Sequence, residues 1–259
     1  MPTLTHWIAL CSLACSCHAA TSASLVARYG LPVTQQFDAA LGIRVTVEYG
    51  PDLTPRAVQI APQHYNPNVS LNPLVKLDAL TEVAAFFVPT ARRSGMSAVM
   101  FCLAYCDSVE TDSEFTITTR FTLRKVDGWA SAVTVTSNRG LTLTSGAMQA
   151  RFGSPVVEQF VADGDIELTA KYDAAGKAEE IEVASFLATR NLTALAVDNV
   201  LNELVPLSER TGKVGLMAQA TGLVSISSQI FDNVTISRTT VGDMVQNATV
   251  RWGPRPAPR

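Results

Sequence analysis

The chain predicts an all-β fold, a sandwich of two antiparallel sheets, on three observations. Most of the sequence alternates apolar and polar residues with a period of two. Short turn signals separate the alternating runs, and only one segment follows a helical period.

The clearest strand is GIRVTVEYG. Ile43, Val45, Val47 and Tyr49 point one way, and Arg44, Thr46 and Glu48 the other, as in a strand with one face on a core and one in water. In EFTITTRFTLRK, Phe115, Ile117, Phe121 and Leu123 share a face in the same manner. Further strands are expected at 132–137, 141–144, 166–172, 181–186, 192–197, 214–218 and 231–237. Turns fall at Ser137-Asn138-Arg139-Gly140, Ala162-Asp163-Gly164-Asp165 and Asp173-Ala174-Ala175-Gly176, with Asp198-Asn199 closing another run. The exception lies at 73–87, where Leu74, Leu77, Leu80, Val83, Ala84 and Phe87 recur every three or four residues. Asn72 suits an N-cap and Pro73 a first helical position, so one short helix is expected there. No internal repeat is read, and the simplest division is a signal at 1–23, one domain at 24–240 and a flexible tail at 241–259.

Of the 259 residues, 47% are hydrophobic and 17% charged, which fits a well-buried core and opposes disorder. The net charge of −3 offers no basic field for nucleic acid or an anionic membrane. Residues 1–23 hold no Lys, Arg, Asp or Glu, and an apolar run from Trp7 to Ala14 is followed by small residues. This is a secretory signal pattern, too short to span a bilayer. Cys17-His18-Ala19 and Thr21-Ser22-Ala23 both fit a cleavage site, and a lipid-modified Cys15 is the alternative. The expected location is therefore secreted, extracellular or cell surface.

Cys11, Cys15 and Cys17 belong to that leader, so the mature chain keeps Cys102 and Cys106. They form either a short-loop disulfide or two small buried thiols. Sequons at Asn68, Asn191, Asn233 and Asn247 agree with secretion and accept glycans in a eukaryotic host. His64 is the one histidine beyond the leader, and no Gly-x-Ser-x-Gly elbow accompanies it, which argues against a hydrolase triad.

From Phe115 to Arg238 the strand phrases EFTITTRFTL, GWASAVTV, NLTALAVDN, a Gly-x-Val-Gly-Leu strand and FDNVTIS occur in order. In this order they resemble the concanavalin A-like lectin, laminin-G and glucanase superfamily. The resemblance implies a jelly-roll β-sandwich. It also implies a use for Glu110, Asp112 and Glu114, which share a face if they lie on one strand. Retaining glucanases of that superfold carry a similar Glu-x-Asp-x-Glu strand, making Glu110 the nucleophile, Asp112 its tuner and Glu114 the acid/base. The other reading of the run is a solvated acidic turn leading into the strand at Phe115. Related domains often hold calcium near their first and last strands, for which Asp38 and Asp232 are the carboxylates here. A sugar platform would draw on Trp129 and Tyr105, with Tyr65 and Tyr172 as further aromatics.

The expected function is a secreted, non-catalytic module recognising a glycan or a cell-surface partner. The alternatives are a glycoside hydrolase using Glu110 and Glu114, and a structural or adhesive surface protein.

Overall fold

The computed structural model describes residues 19–253, except 70–71, 94–95, 102–104, 123–127, 163–164, 188–190 and 213. The fold is mostly β, and it is built twice. Helix α1 (Ser22–Tyr29), strands β1 (Thr34–Asp38), β2 (Ile43–Tyr49) and β3 (Pro55–Pro62), short strand β4 (Val75–Lys76) and helix α2 (Leu77–Phe87) open the first half. Strands β5 (Met96–Phe101), β6 (Tyr105–Thr111), β7 (Phe115–Thr122), β8 (Trp129–Ala130) and β9 (Ala132–Ser137) complete it. The same series then recurs. Helix α3 (Ser145–Phe152) leads to β10 (Val157–Ala162), β11 (Ile166–Tyr172), β12 (Ala178–Ser185), β13 (Leu192–Thr193) and α4 (Ala194–Leu204). The chain closes with β14 (Gly215–Thr221), β15 (Val224–Ile230), β16 (Val234–Val241) and β17 (Met244–Trp252).

The pairing registers are the same in both halves. Val75 pairs with Ala130 and Lys76 with Trp129, as Leu192 pairs with Val245 and Thr193 with Met244. Val58 opposes Val135, as Ile181 opposes Val250. Asp107 opposes Arg120, as Ile226 opposes Thr239. The chain is thus an internal duplication, which corrects the reading of a repeat-free sequence. Nine of the seventeen residues at 21–37 recur identically at 144–160, and Val88-Pro89 with Arg93 returns as Val205-Pro206 with Arg210.

The all-β expectation holds, and the strand pairing gives one long sheet where two were expected. Each half contributes seven strands, in the order β1-β2-β3-β9-β7-β6-β5 and β10-β11-β12-β17-β16-β15-β14. Antiparallel pairing of β1 with β10 joins them into one hydrogen-bonded sheet, with β13 attached to β17. Alternating strands need only something apolar on one face, and here helices supply it. Val45, Val47, Val58, Ile60, Val133 and Val135 are buried with Leu80, Ala84 and Phe87 of α2. Leu168, Ile181, Val183, Ala248 and Val250 are buried with Val197, Val200 and Leu201 of α4.

The first helix of each half is exchanged. Leu25 of α1 lies in the core of the second half, and Met148 of α3 in the core of the first. Both helices begin at a threonine cap, Thr21 accepting from Ser24 N and Thr144 from Ala147 N. Both end at a glycine of positive φ, Gly30 and Gly153, where the chain must turn back into a strand.

Four expected elements change, and the first, the strand expected at 141–144, does not form, because the segment leads to Thr144, the N-cap of α3. The helix expected at 73–87 starts at Leu77, because Asn72 spends its side chain on Asn66 and Val69 and caps nothing. The strand expected at 192–197 stops at Thr193, whose hydroxyl accepts from Ala196 N and starts α4. Val197, Val200 and Leu201 then follow a helical stripe. The tail expected at 241–259 instead contains β17, with Val245, Ala248 and Val250 buried.

Candidate functional site

The two halves meet at Gln35 and Glu158. These are equivalent positions of the duplication and direct partners in the β1–β10 ladder, so the pseudo-twofold axis passes between them. Both face the helices and are 2% and 1% exposed. Burying a carboxylate and an amide is costly unless their atoms are hydrogen bonded. Gln35 Nε2 donates to Glu158 Oε1 at 2.7 Å and Tyr172 OH donates to Glu158 Oε2 at 2.7 Å. Gln35 Oε1 accepts from Tyr49 OH at 2.6 Å and from Ser145 Oγ at 2.8 Å. Tyr49 and Tyr172 are themselves equivalent residues, as Ser145 is of Ser22. Two glutamates here would face each other as like charges, whereas Gln against Glu supplies one donor and one acceptor.

The environment keeps both phenols protonated. Burial pushes the Tyr49 hydroxyl up to about 12, the Ser145 hydrogen bond acting against it. Tyr172 is raised further, by burial first and then by its bond to Glu158.

A cavity of about 510 Å3 opens over this junction, among the residues that start α1 and α3. Ser22, Gln35, Ser145, Gln149, Glu158 and Tyr172 give it hydroxyl, amide and carboxylate groups, while Val26, Leu31 and Pro155 supply apolar wall. Two lateral cavities are themselves a duplicated pair. One, of about 430 Å3, lies between α1 and α4, where Tyr29 OH and Arg28 Nε donate to Glu203 Oε2 at 3.2 and 3.1 Å. The other, of about 250 Å3, lies between α3 and α2 beside Phe152. There Phe152 and Phe86 stand at the positions of Tyr29 and Glu203 and meet edge to face at 5.4 Å.

No family model, curated protein or solved structure matches the chain.

The residues singled out from the sequence lie elsewhere and apart. Glu110 stands in β6, while Asp112 and Glu114 lie in the turn before β7, so the three carboxylates do not line one strand. Asp112 accepts from Ser113 Oγ at 3.0 Å, and that bond holds its carboxyl below the ordinary range. Glu114 pairs with Arg92. Glu110 lines a cavity of about 170 Å3 beneath α2, and Glu114 lines a different one of about 240 Å3.

Trp129 belongs to the β4–β8 ribbon, and Tyr105 to the main sheet. The ring of Tyr105 is covered by the Arg120 guanidinium at 3.8 Å, which also holds Asp107 through two bonds of 3.0 Å. Tyr65 OH joins this cluster at 3.4 Å from Arg120.

Asp38 pairs with Arg44 at 2.8 Å. Asp232 sits in the turn before β16, whose strand lies five places from β1 in the sheet. A side chain at Gly212 would collide with the Asp232 carboxylate at 2.0 Å, so the glycine makes room for it. The described residues hold no group of three metal-ligating side chains.

Cys106 is a buried thiol, free among the described residues, and Cys102 lies outside the described residues. Asn68 and Asn191 are exposed. Asn233, expected to point outward, instead donates to Glu209 O at 2.8 Å and accepts from Thr211 N at 3.2 Å. Asn247 donates to Glu182 at 3.3 Å. No helix among the described residues is long and apolar enough to cross a membrane.

Gln35 and Glu158 escape a reading by residue type because each is an ordinary polar residue beside another polar residue in a strand. The matching of 21–37 with 144–160 is the signal that finds them.

Proposed function

We propose that the chain is a secreted, non-catalytic recognition module whose ligand is a glycan or a surface partner, and that it binds over the junction of the two halves. The observation that carries this reading is the cavity of about 510 Å3 with Ser22, Ser145, Gln149 and Glu158 in its lining. Its size is that of ordinary small-ligand sites, and convergent hydroxyl, amide and carboxylate groups beside apolar wall suit a polyhydroxylated ligand. The reading does not depend on a concanavalin A-like relationship or on a two-sheet jelly roll. The resembling stretch contains α3 and α4 as well as strands. Glu110 and Glu114 line separate cavities, so hydrolysis is not proposed.

A glycan array probed with the purified chain tests the reading, with Gln149→Ala and Ser145→Ala as groove variants. Binding to a defined glycan class that both variants weaken supports it. Binding unchanged by both variants removes the groove, and silence on every glycan removes the glycan reading. Repeating the array in EDTA tests calcium, since unchanged binding dismisses it. A structural or adhesive role is the second reading, favoured by the exposed apolar strand β14.

A further inference from the structure

The two ends of the long sheet are equivalent by duplication and differ in the strand behind the edge. Strand β5 closes one end and β14 the other. Next to β5, β6 carries Tyr105, Asp107 and Glu110, with Asp107 and Tyr105 engaged by Arg120. These charges lie behind the edge, since β5 itself carries none and exposes Val99 and Met100 at 56% and 54%. The β6 positions hold Val224, Ile226 and Gln229 in β15, and Thr239 stands in place of Arg120. From Val214 through Phe231 the sequence contains no Asp or Glu, no Arg and no proline.

Strand β14 is exposed along both faces. Leu216 is 77% and Met217 65% exposed, although the two point to opposite sides of the sheet. Leu223, Val224 and Ile226 extend the apolar surface onto β15. Monomeric proteins seldom leave a long, uncharged apolar edge strand bare.

We infer that β14 is a self-association edge: a second copy of this chain pairs with it antiparallel along Gly215–Thr221, extending the sheet across a true twofold axis. Three features select a second copy as the occupant. A strand without charges meets its own copy without like-charge contact, whatever the register. The chain already uses this joint internally, since β1 and β10 are equivalent strands paired antiparallel across the pseudo-twofold axis. The apolar surface at β14 continues onto β15 through Leu223, Val224 and Ile226, whereas the strand behind β5 carries Asp107 and Glu110, so association favours β14, and pairing across a twofold axis gives a closed dimer.

Sedimentation equilibrium of the purified chain over a wide concentration range tests this. The expected result is a concentration-dependent rise to twice the monomer mass. Met217→Lys and Leu216→Lys, one on each face of the strand, should each return the monomer, and Val99→Lys on β5 should leave the dimer intact. Both β14 positions are largely exposed, and circular dichroism of each variant checks that the fold is kept. A monomer at every concentration overturns the inference. So does a dimer that survives both β14 variants, one lost equally in Val99→Lys, or a ladder of higher oligomers. A monomer that instead floats with neutral phosphatidylcholine vesicles also overturns it and assigns the surface to lipid.

Discussion

Glu158 and Gln35 hold the same position in two halves of one duplicated chain and are hydrogen bonded to each other at 2.7 Å. Their bond, the two phenols and Ser145 make a closed buried network across the pseudo-twofold axis. Removing one member leaves others unsatisfied. Glu158→Ala should therefore cost roughly 3 kcal/mol, because the Gln35 amide and the Tyr172 hydroxyl both lose their acceptor. The double variant Gln35→Ala/Glu158→Ala should cost clearly less than the two singles added together. Urea denaturation of the four proteins measures this, and strict additivity would show that the residues do not act as a unit.

The phenols make the junction sensitive to alkali. A folded-state pKa raised above the unfolded value means that the folded form favours the protonated phenol. The contribution is fully present below the unfolded tyrosine pKa of about 10 and is lost as pH rises through the folded value. For Tyr49 that window runs from about 10 up to about 12, and for Tyr172 it extends further. Stability should thus be flat in this respect at neutral pH and fall above about 10. Tyr49→Phe and Tyr172→Phe should each flatten the fall, read as the urea midpoint against pH. An equally steep decline in both variants would place its cause elsewhere.

The strict alternations at Ile43–Tyr49 and Ile166–Tyr172 were legible to the residue, since every second side chain is apolar or aromatic and all but the half-buried Tyr49 are buried. Helices α1 and α3 were not, because serine, alanine and glycine dominate their first turns and only Leu25 and Met148 are buried. The window LTALAV satisfies strand alternation and helix period alike, and the Thr193 cap decided between them. Alternation says that one face of a strand is wet but not which strands are neighbours, so the single sheet could not be read from it. The candidate site was hidden for a related reason. Its members come from β1, β2, β10, β11 and α3, and only the duplication brings them to one axis.

The duplication also repairs one half by reference to the other. Arg210 Nε donates to Val205 O at 3.1 Å at the end of α4, and its Nη2 reaches Asn202 Oδ1 at 2.8 Å. Arg93 makes the same Nε bond to Val88 O at 3.1 Å, but Ala85 stands at the position of Asn202 and the buried Arg93 Nη2 has no partner among the described residues. Ala85→Asn should supply one. A bond to a charged donor contributes about 1.5–3 kcal/mol. The weaker helix propensity of asparagine offsets about 0.7 kcal/mol of this, and partial exposure a further share, leaving a gain near ~1 kcal/mol. A raised urea midpoint at unchanged slope is the expected readout, and a lowered one contradicts the equivalence of the two arginines.

If the chain is secreted, as proposed above, the same equivalence bears on where it is cut. Cleavage after Ala19 preserves Ala20, whose carbonyl accepts from Ala178 N at 2.7 Å, and Thr21, whose side chain caps α1. Cleavage after Ala23 removes both, along with Ser22 from the junction cavity. Thr144 caps α3 in the matching place, so the cap belongs to the repeated unit and not to the leader. The mature protein recovered from culture medium should therefore begin at Ala20, as N-terminal sequencing would show. Thr21→Ala in that protein should cost about 1 kcal/mol, the usual loss on removing an N-cap. A mature start at Ser24 with undiminished stability would mean that α1 does not need its cap to hold Leu25 in the core of the second half.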